Sequence, residues 1–373
     1  MIKIGITGQA GFVGTHLFNF LGLQNEIERI SFDDSYFLDE SKLRNFVRQC
    51  DVIVHLAAMN RHNDPDVLYK TNIKLVEDLI AAMEAEHVSP HVIFSSSTQE
   101  ERDNLYGRSK KEGRERFINW AQKHNAAFTG LVIPNVFGPF GNPFYNSVIA
   151  TFSHQLTHGE QPRIEIDGML NLIYVGELVE TIWEIIKEKK SAPVYPVEHT
   201  AQSKVSQILL ILQHFKELYF ENGVIPALNN RFEVNLFNTF RSYIDTRDHF
   251  PVYLKKHTDA RGSFIEAVKT EVGGQFSFST THSGITRGEH FHTRKIERFT
   301  VIQGQATIEM RKIGTNEVLH FDLDGNQPSF VDMPTWFTHN ISNVGNDDLI
   351  TLFWINEFFD PADPDTFFEK VRL

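Results

Sequence analysis

Cysteine is almost absent from this chain of 373 residues, since Cys50 is the only one, and an internal disulfide is therefore excluded. The sequence also lacks the run of about eighteen apolar residues that a membrane-spanning helix requires. Its first residues have the pattern of a β-strand without a cationic lead, so we expect no signal peptide. Basic residues are fewer than acidic ones, and the formal charge of −12 argues against a general nucleic-acid binder. We expect a cytoplasmic protein that binds neither a membrane nor a nucleic acid.

Apolar residues are abundant: 41% of the chain is hydrophobic and 32 residues are phenylalanine, which is enough for large buried cores. The length suggests about two or three domains. Cys50 precedes the apolar stretch DVIVHLA, so we expect a packed thiol there rather than a reactive one.

The first apolar stretch, KIGITG, leads into three regularly spaced glycines, Gly8, Gly11 and Gly14. A nearly continuous apolar strand is typical of a parallel sheet that is buried on both faces. Gly8 permits a tight turn, Gly11 lets the backbone approach a pyrophosphate, and Gly14 lets the following helix pack on the strand. The alternative is an ordinary strand-to-helix turn, but the position at the first strand favours dinucleotide binding.

Further strand-like segments alternate with helical ones. They are ERISFD, DVIVHLA, HVIFSSS and FTGLVIPNVFG. Strands that alternate with helices predict a parallel, doubly wound α/β sheet with ligands at the carboxyl ends of the strands. The stretches HLAA and SSS lie at such ends, and we expect them near a bound ligand.

A tyrosine and a lysine four residues apart follow, Tyr106 and Lys110 in YGRSK. On a helix these two positions share a face. A tyrosine with a pKa of about 10 is a poor proton donor near neutral pH unless a cation lowers that pKa, and Lys110 supplies the cation one turn away. Ser97, the last residue of the serine run, supplies a hydroxyl that can polarise a carbonyl oxygen, and Ser96 is the competing choice.

These residues resemble the extended short-chain dehydrogenase/reductase family, over about residues 1–245. The resemblance implies a Rossmann-like fold, a nucleotide-sugar substrate, and a catalytic set formed by Ser97, Tyr106 and Lys110. Asn72 matches an asparagine on a helix of that family. The positions that contact the cofactor in the family fall on Gly8, Gly11, Gly14, Ala57, Ala58 and Asn135.

The identity of the cofactor depends on Asp33, which ends the second strand-like segment nineteen residues after Gly14. A carboxylate there accepts hydrogen bonds from the ribose 2′-hydroxyl and repels a 2′-phosphate, which favours NADH. The resemblance of the whole chain, given below, instead implies NADPH. Asp33 as a solvated turn residue beside Asp34 is the alternative, so both NADPH and NADH remain open.

The sequence pattern changes near residue 250, where short alternating segments appear between glycine, asparagine and aspartate turns. They include GSFIEAV, GQFSFSTT, ERFTVIQG, QATIEMRKI and LITLFWIN. Many short strands with turn signals predict a sandwich or barrel. We therefore predict a dinucleotide-binding domain with a substrate lobe over residues 1–245 and an all-β domain over residues 246–373.

Four residues of the second domain have the pattern of a metal site. His290 and His292 are one residue apart, and on a strand they point to the same face. Glu297 follows after a turn, and His339 in PTWFTHNISN completes the set. Three imidazoles and one carboxylate suit Zn, Fe or Mn rather than Ca or Mg. The alternative for any one of these histidines is an ordinary surface or core residue.

This pattern resembles the cupin family of β-barrels. The first cupin motif is matched at every position from Gly284 to Gly304, whereas the second is partial because Trp336 stands where a glycine is usual. The segments DARGSFIE and RGEHFH also resemble segments of the dTDP-4-keto-rhamnose 3,5-epimerases, which act on nucleotide keto-sugars. The base of such an epimerisation is open between Lys295 and His282.

The order of the two domains resembles the bifunctional capsular-polysaccharide enzymes that make the UDP-N-acetyl-L-fucosamine precursor. The resemblance implies a UDP-linked 4-keto-6-deoxy amino sugar as substrate. It also implies C3 epimerisation in a zinc-binding cupin and reduction of the C4 ketone with NADPH. We expect a homodimer or a higher homo-oligomer. The alternative is a reductase whose cupin serves only as a structural or dimerisation module.

Overall fold

The structure is a computed structural model that describes residues 1–260 and 262–373, and its description of side chains omits residues 261–264. The chain forms two compact units. The first unit contains residues 1–148 and 166–205, and the second contains residues 149–165 and 206–373. Among the described residues, no helix has both the length and the apolar character needed to cross a membrane.

The strands of the first unit are distributed along its whole sequence. They are β1 (Ile2–Thr7), β2 (Ile27–Ile30), β3 (Val52–His55), β4 (His91–Ser97), β5 (Phe128–Ile133), β6 (Asn135–Phe137), β7 (Met169–Tyr174), β8 (Ala192–Pro196) and β9 (Ala201–Lys204). The strands of the second unit are short and begin after residue 223. They are β10 (Val224–Ile225), β11 (Val252–Tyr253), β12 (Lys256–Asp259), β13 (Gly262–Ile265), β14 (Lys269–Thr270), β15 (Gln275–Thr281), β16 (Thr286–Phe291), β17 (Glu297–Gln303), β18 (Gln305–Lys312), β19 (Val318–Asp324), β20 (Ser329–Met333), β21 (Phe337–Asn343), β22 (Leu349–Ile355) and β23 (Phe367–Phe368).

The helices lie mostly between the strands of the first unit and before the barrel strands of the second. They are α1 (Phe12–Leu21), α2 (Glu40–Gln49), α3 (Pro65–Ala85), α4 (Leu105–His124), α5 (Val148–Thr157), α6 (Val175–Glu188), α7 (Val205–Phe215), α8 (Arg231–Arg241) and α9 (Thr246–His249). Short 3₁₀ segments cover Asp34–Leu38 and Thr98–Glu101, and a π-helical segment, Lys216–Glu221, continues α7.

The first unit is built on a six-stranded sheet in the order β2-β1-β3-β4-β5-β8, in which all neighbouring strands are parallel. Buried aliphatic side chains of β1, β3 and β5 pack with those of α6 on one face, and phenylalanines pack with α2 and α3 on the other. The predicted doubly wound α/β fold is therefore confirmed as a Rossmann-like sheet. The strand order changes direction between β1 and β3, and a ligand crevice is expected where their carboxyl ends diverge.

The second unit contains two five-stranded sheets with antiparallel pairing, β11-β20-β17-β22-β15 and β19-β18-β21-β16-β23. Apolar side chains from both sheets form one core, as Val301 of β17, Ile308 of β18 and Ile341 of β21 illustrate. Two sheets that share one core in this way form a cupin-like barrel, and the predicted all-β fold is confirmed.

Residues 206–245 pack with the barrel, whereas the sequence prediction assigned them to the substrate lobe of the first domain. A buried ion pair of the barrel anchors this segment. In it, Arg298 of β17 donates to both carboxylate oxygens of Asp332 of β20 at 2.7 and 2.9 Å. The Tyr219 hydroxyl donates to the same carboxylate at 2.7 Å, and Arg298 also donates to the Gly223 carbonyl. The domain boundary at residue 245 stays a prediction.

Candidate cofactor site and candidate metal centre

The glycine motif forms a tight backbone turn between β1 and α1. Gly8 has a φ of +70°, a backbone angle that residues with a side chain rarely adopt. A Cβ atom at Gly14 would lie 2.2 Å from the Gly8 carbonyl oxygen, so only glycine lets the helix approach the strand this closely. Gly11 caps α1 without a side-chain hydrogen bond. The first N–H groups of α1 therefore point out of the turn, and such a helix terminus fits a pyrophosphate.

The stretch after β3 lies against this turn. A Cβ atom at Gly8 would be 2.8 Å from Ala57 Cα, so the two backbones are in contact. The Ala57 N–H donates to the Thr7 hydroxyl at 3.4 Å, and that hydroxyl lies 2.7 Å from Nδ1 of the buried His55. Burial lowers the pKa of His55 to about 3, so its imidazole is neutral. This Thr7–His55 contact is not predictable from the sequence, and it joins the ends of β1 and β3, between which the ligand crevice is expected.

Asp33 is exposed and follows β2. Its carboxylate accepts a hydrogen bond from the Ser35 N–H at 2.9 Å, and hydrogen bonds from the Ser35 side chain and then from its backbone lower the pKa of Asp33. The side chain thus caps the 3₁₀ segment that follows, which agrees with the turn-residue alternative. An ionised carboxylate at the end of β2 also agrees with a ribose contact, so the role of Asp33 stays a prediction.

Tyr106 and Lys110 lie on α4, which begins where the Asn104 side chain accepts a hydrogen bond from the Gly107 N–H at 2.7 Å. Lys110 is buried, and its ammonium donates to the Ser95 carbonyl at 2.9 Å, at the carboxyl end of β4. The ammonium is 5.8 Å from the centre of the Tyr106 ring. The structure therefore brings the predicted tyrosine and lysine together beside the end of a central strand.

The protonation states of this pair differ from the sequence expectation. Burial raises the pKa of Tyr106 to about 12, whereas the sequence analysis expected Lys110 to lower it. Burial also lowers the pKa of Lys110 to about 8, and the charge of Glu100 opposes that shift. Loss of water around each group is the largest cause of its shift. A tyrosine that keeps its proton is suited to donate it.

The two candidate serines of β4, Ser96 and Ser97, have different hydrogen-bond partners. Ser96 is buried and donates to Glu100, which pairs with Arg114 at 2.6 Å. Ser97 is half-buried and accepts from the Gln99 N–H at 3.2 Å. Because side chains alternate along a strand, Ser96 faces the side opposite to Ser97. Because Ser96 is buried and its hydroxyl is bonded to Glu100, Ser97 is the better candidate for a hydrogen bond to a substrate oxygen. The Glu100–Arg114 pair was missed, since its members are fourteen residues apart and match no motif.

Two predicted asparagines have distinct roles. Asn72, buried on α3, accepts from the Met59 N–H at 2.7 Å and donates to the Met59 carbonyl and to the Ser109 hydroxyl. It thereby fixes the segment after Ala58 to α4. Asn135 is exposed at the start of β6 and donates to the Asn171 carbonyl. No described contact tests its role, or that of Ala58, toward a cofactor, and both roles stay predictions.

The four predicted metal ligands meet between the two sheets of the barrel. His290 of β16 pairs in register with His339 of β21, His292 follows the end of β16, and Glu297 begins β17 of the facing sheet. One ligand atom from each residue can be chosen so that all four lie within 4.8 Å of one another. Glu297 Oε2 lies 3.0 Å from His292 Nε2 and 3.3 Å from His339 Nε2.

The protonation of this cluster fits a bound cation. His292 donates its Nδ1 proton to the Asp365 carbonyl, and His339 donates its Nδ1 proton to the Phe337 carbonyl at 3.2 Å. In the neutral imidazoles, both Nε2 atoms therefore carry lone pairs, and both lone pairs face the Glu297 carboxylate. His292 Nε2, His339 Nε2 and Glu297 Oε2 are buried without a hydrogen-bond donor. Three buried, electron-rich atoms that face each other favour a positive centre between them.

Electrostatics point the same way. Burial and the neighbouring imidazoles of His339 and His292 lower the pKa of His290 to about 4, so this ring is neutral at physiological pH. Burial alone would raise the pKa of Glu297, but the two histidines that face it lower that pKa. Burial alone would lower the pKa of His292, but Glu297 and the Asp365 carbonyl raise it. Zinc fits this donor set of imidazoles and carboxylate.

Neither candidate base contacts the cluster through its own hydrogen bonds. The Lys295 ammonium donates to the Pro364 carbonyl at 2.7 Å. His282 is exposed and pairs with Asp348 at 2.7 Å. Trp336, at the position where cupins usually have glycine, adopts a φ of +63°, and its ring stacks on Phe291. The left-handed backbone explains why glycine is usual there. Arg261, in the DARGSFIE segment, lies outside the described residues.

The sequence leaves three arginines open as candidates for contact with a substrate diphosphate, Arg163, Arg231 and Arg241. The contacts of Arg241 bear on this choice. In the structure it is buried on α8 and donates to the Met333 carbonyl at 2.9 Å. This bond fastens α8 to the end of β20, so a packing role explains Arg241.

Comparisons with known proteins find a matching family for each part of the chain. Residues 4–197 match the NAD dependent epimerase/dehydratase family, and residues 257–367 match the polysaccharide biosynthesis C-terminal domain. A curated relative, UDP-2-acetamido-2,6-beta-L-arabino-hexul-4-ose reductase of Pseudomonas aeruginosa, is 32% identical over 368 residues, which is 98% of each chain.

Two solved structures are similar along the whole chain. The capsular polysaccharide assembling protein CapF from Staphylococcus aureus is 31% identical with a TM-score of 0.64, over 99% of this chain and 100% of that chain. CapF with the inhibitor 3-isopropenyl-tropolone is 29% identical with a TM-score of 0.60, over the same shares. The chain therefore belongs to the NAD dependent epimerase/dehydratase family, and over its full length it is a relative of the Pseudomonas reductase and of CapF.

Proposed function

We propose that this chain reduces the C4 ketone of a UDP-linked 2-acetamido-2,6-dideoxy-hexos-4-ulose in its first unit and epimerises C3 of the same sugar at a zinc site in its second unit. The Pseudomonas relative, whose name states a reductase of such a UDP-sugar, supports the substrate class and the reduction. The single structural observation that carries the reduction is the buried Lys110 ammonium beside Tyr106 at the carboxyl end of β4.

In the reduction, the residues of α4 and β4 handle the ketone oxygen. A bound nicotinamide supplies a hydride to the C4 carbon, and the turn at Gly8, Gly11 and Gly14 would hold its pyrophosphate. Tyr106 donates its proton to the oxygen as that oxygen becomes negative. The positive charge of Lys110 stabilises the phenolate that remains, and the Ser97 hydroxyl would hydrogen bond to the same substrate oxygen.

The epimerisation uses the acidity that the same ketone confers. The C4 carbonyl makes the proton at C3 removable, and return of a proton to the opposite face inverts C3 without a change in composition. Zinc held by His290, His292, Glu297 and His339 would supply positive charge for the developing enolate. Inhibition of CapF by a tropolone supports this, because tropolones chelate metals through two adjacent oxygens.

The two reactions have a required order. Epimerisation needs the ketone at C4, and reduction converts that ketone to an alcohol, which no longer acidifies C3. A single functional group thus explains why one chain carries two separate chemical centres. NADPH rather than NADH, a homo-oligomeric state and a cytoplasmic location belong to the same proposal.

The experiment that tests the reduction replaces Tyr106 by phenylalanine. Loss of the proton donor should slow the oxidation of reduced nicotinamide with the keto-sugar by about 10²–10⁴-fold. Tyr69→Phe is the matched control, because the half-buried Tyr69 of α3 donates its hydroxyl proton to Glu112 of α4 and has no place in the proposed reaction, so this variant should keep full activity. A Tyr106→Phe variant that reduces the sugar as fast as this control would remove Tyr106 from its role.

A further inference from the structure

The turn between two candidate metal ligands is closed by a residue from the far end of the chain. Residues 293–296 connect His292 to Glu297, and three consecutive N–H groups of this turn point toward the Asp365 carboxylate. Thr293 N–H donates at 3.1 Å, Arg294 N–H at 3.1 Å and Lys295 N–H at 2.9 Å. The Thr293 hydroxyl adds a fourth hydrogen bond at 2.6 Å.

The same residue also contacts a ligand directly. The backbone carbonyl of Asp365 accepts the Nδ1 proton of His292, which leaves Nε2 as the lone-pair atom that faces Glu297. Asp365 thus fixes the tautomer and orientation of one candidate ligand through its carbonyl. Through its carboxylate it fixes the turn that sets the distance from that ligand to the next.

The segment that carries Asp365 is itself firmly attached. β23 pairs with β16, where Phe368 lies opposite His290. The Val371 N–H donates to the Glu289 carboxylate at 2.7 Å, and Val371 is fully buried. Arg311 donates to the Val371 carbonyl at 2.7 Å. These contacts hold the last ten residues along the strand that supplies the histidines, so Asp365 is presented from a fixed position.

Asp365 is 97% buried and has a φ of +41°. Aspartate and asparagine tolerate this left-handed backbone better than other residues with side chains. Four hydrogen-bond donors converge on its carboxylate, and hydrogen bonds to an ionised acceptor hold the side chain strongly in one position. The carboxylate of Asp365 binds the turn, and its backbone carbonyl binds the imidazole of His292, so this one residue connects the turn to the ligand that precedes it.

We propose that Asp365 is the positioning residue of the metal centre. It holds His292 and the 293–296 turn in the geometry that lets His292 and Glu297 bind the same cation, and it acts on the cation only through these residues. The proposal rests on the zinc site of the proposed function. Residues that orient metal ligands in this way typically change metal affinity by about 10–100-fold when they are replaced.

Asp365→Asn in the full-length chain tests this, because asparagine keeps the backbone preference but places an NH₂ group against N–H donors. Apo protein is titrated with Zn²⁺ against a chelating dye, and Co²⁺ is added separately so that its visible absorption reports the ligand geometry. We expect about 10–100-fold weaker Zn²⁺ binding and an altered Co²⁺ spectrum. Asp363→Asn is the matched control, since the exposed Asp363 carboxylate pairs with the Arg294 guanidinium and should leave both readouts unchanged.

The outcomes separate the inference from the zinc proposal. Wild-type protein that binds no Zn²⁺ would refute the zinc site itself. Wild-type affinity and an unchanged Co²⁺ spectrum in a folded Asp365→Asn variant would refute only the positioning role. If circular dichroism shows that Asp365→Asn does not fold, Thr293→Val decides, because it removes one hydroxyl bond to Asp365. Weaker Zn²⁺ binding by Thr293→Val than by Asp363→Asn supports the inference, and equal binding overturns it.

Discussion

The low pKa of Lys110 predicts a specific dependence of the reduction on pH. Burial holds the pKa of this ammonium at about 8, so its charged fraction falls from about nine-tenths at pH 7 to about one-tenth at pH 9. Tyr106, with a pKa of about 12, keeps its proton over the same range. If the charged lysine is required for proton donation, kcat of ketone reduction should fall about tenfold between these two pH values.

The assay follows the oxidation of reduced nicotinamide at saturating substrate and cofactor from pH 6 to pH 10. Lys110→Arg is the matched variant, because a guanidinium stays charged throughout this range. Its absolute rate is expected to be lower, since its geometry differs, but the rate should not fall between pH 7 and pH 9. A wild-type kcat that is constant to pH 9, or an equal fall in the arginine variant, would refute the assignment of this titration to Lys110.

Two further predictions concern the cofactor and the stability of the second unit. Asp33→Asn should raise the catalytic efficiency with NADPH relative to that with NADH severalfold, because it removes a negative charge near the expected 2′-phosphate while the Ser35 bond can persist. Asp34→Asn is the control. If Asp33→Asn leaves the ratio of the two efficiencies as unchanged as the control does, Asp33 does not lie at the ribose. Asp332→Asn should destabilise the protein by about 3–5 kcal/mol in urea unfolding, because it leaves Arg298, 1% exposed, without its buried carboxylate. The exposed Asp322→Asn variant serves as control, and equal unfolding midpoints for the two variants would contradict the importance of the buried pair.

Much of the fold followed from local patterns. Apolar runs of the expected length became β1, β3 and β4, and four of the five alternating segments after residue 250 became the barrel strands β15, β17, β18 and β22. These elements were predictable because a parallel strand buried on two faces and an antiparallel strand buried on one have different periods. The assignment of residues 206–245 was not predictable in the same way. The apolar stripe of α7 shows that the helix is buried but does not show against which core.

The candidate sites were predictable where their members are close in sequence. Tyr106 and Lys110 share one helix face, and His290, His292 and Glu297 lie on the two sides of one turn that joins β16 to β17. Their supporting partners were not predictable, because contacts such as that of Thr293 with Asp365 span 72 residues and match no motif. The predicted direction of the shift in the Tyr106 pKa was wrong for a different reason. A lysine one turn away is visible in sequence, but the loss of water around both side chains is not.

The central claim is that one ketone is processed at two independent centres, and deuterium exchange at C3 tests it most directly. The full-length Tyr106→Phe variant is incubated with cofactor and keto-sugar in D₂O, and C3 is observed by NMR. The account predicts deuterium at C3 at the wild-type rate without formation of the alcohol. It also predicts no exchange when His290→Ala is added, whereas adding His320→Ala, on the exposed side of β19, should preserve exchange. Exchange at an undiminished rate in a folded, metal-free His290→Ala protein would contradict the account.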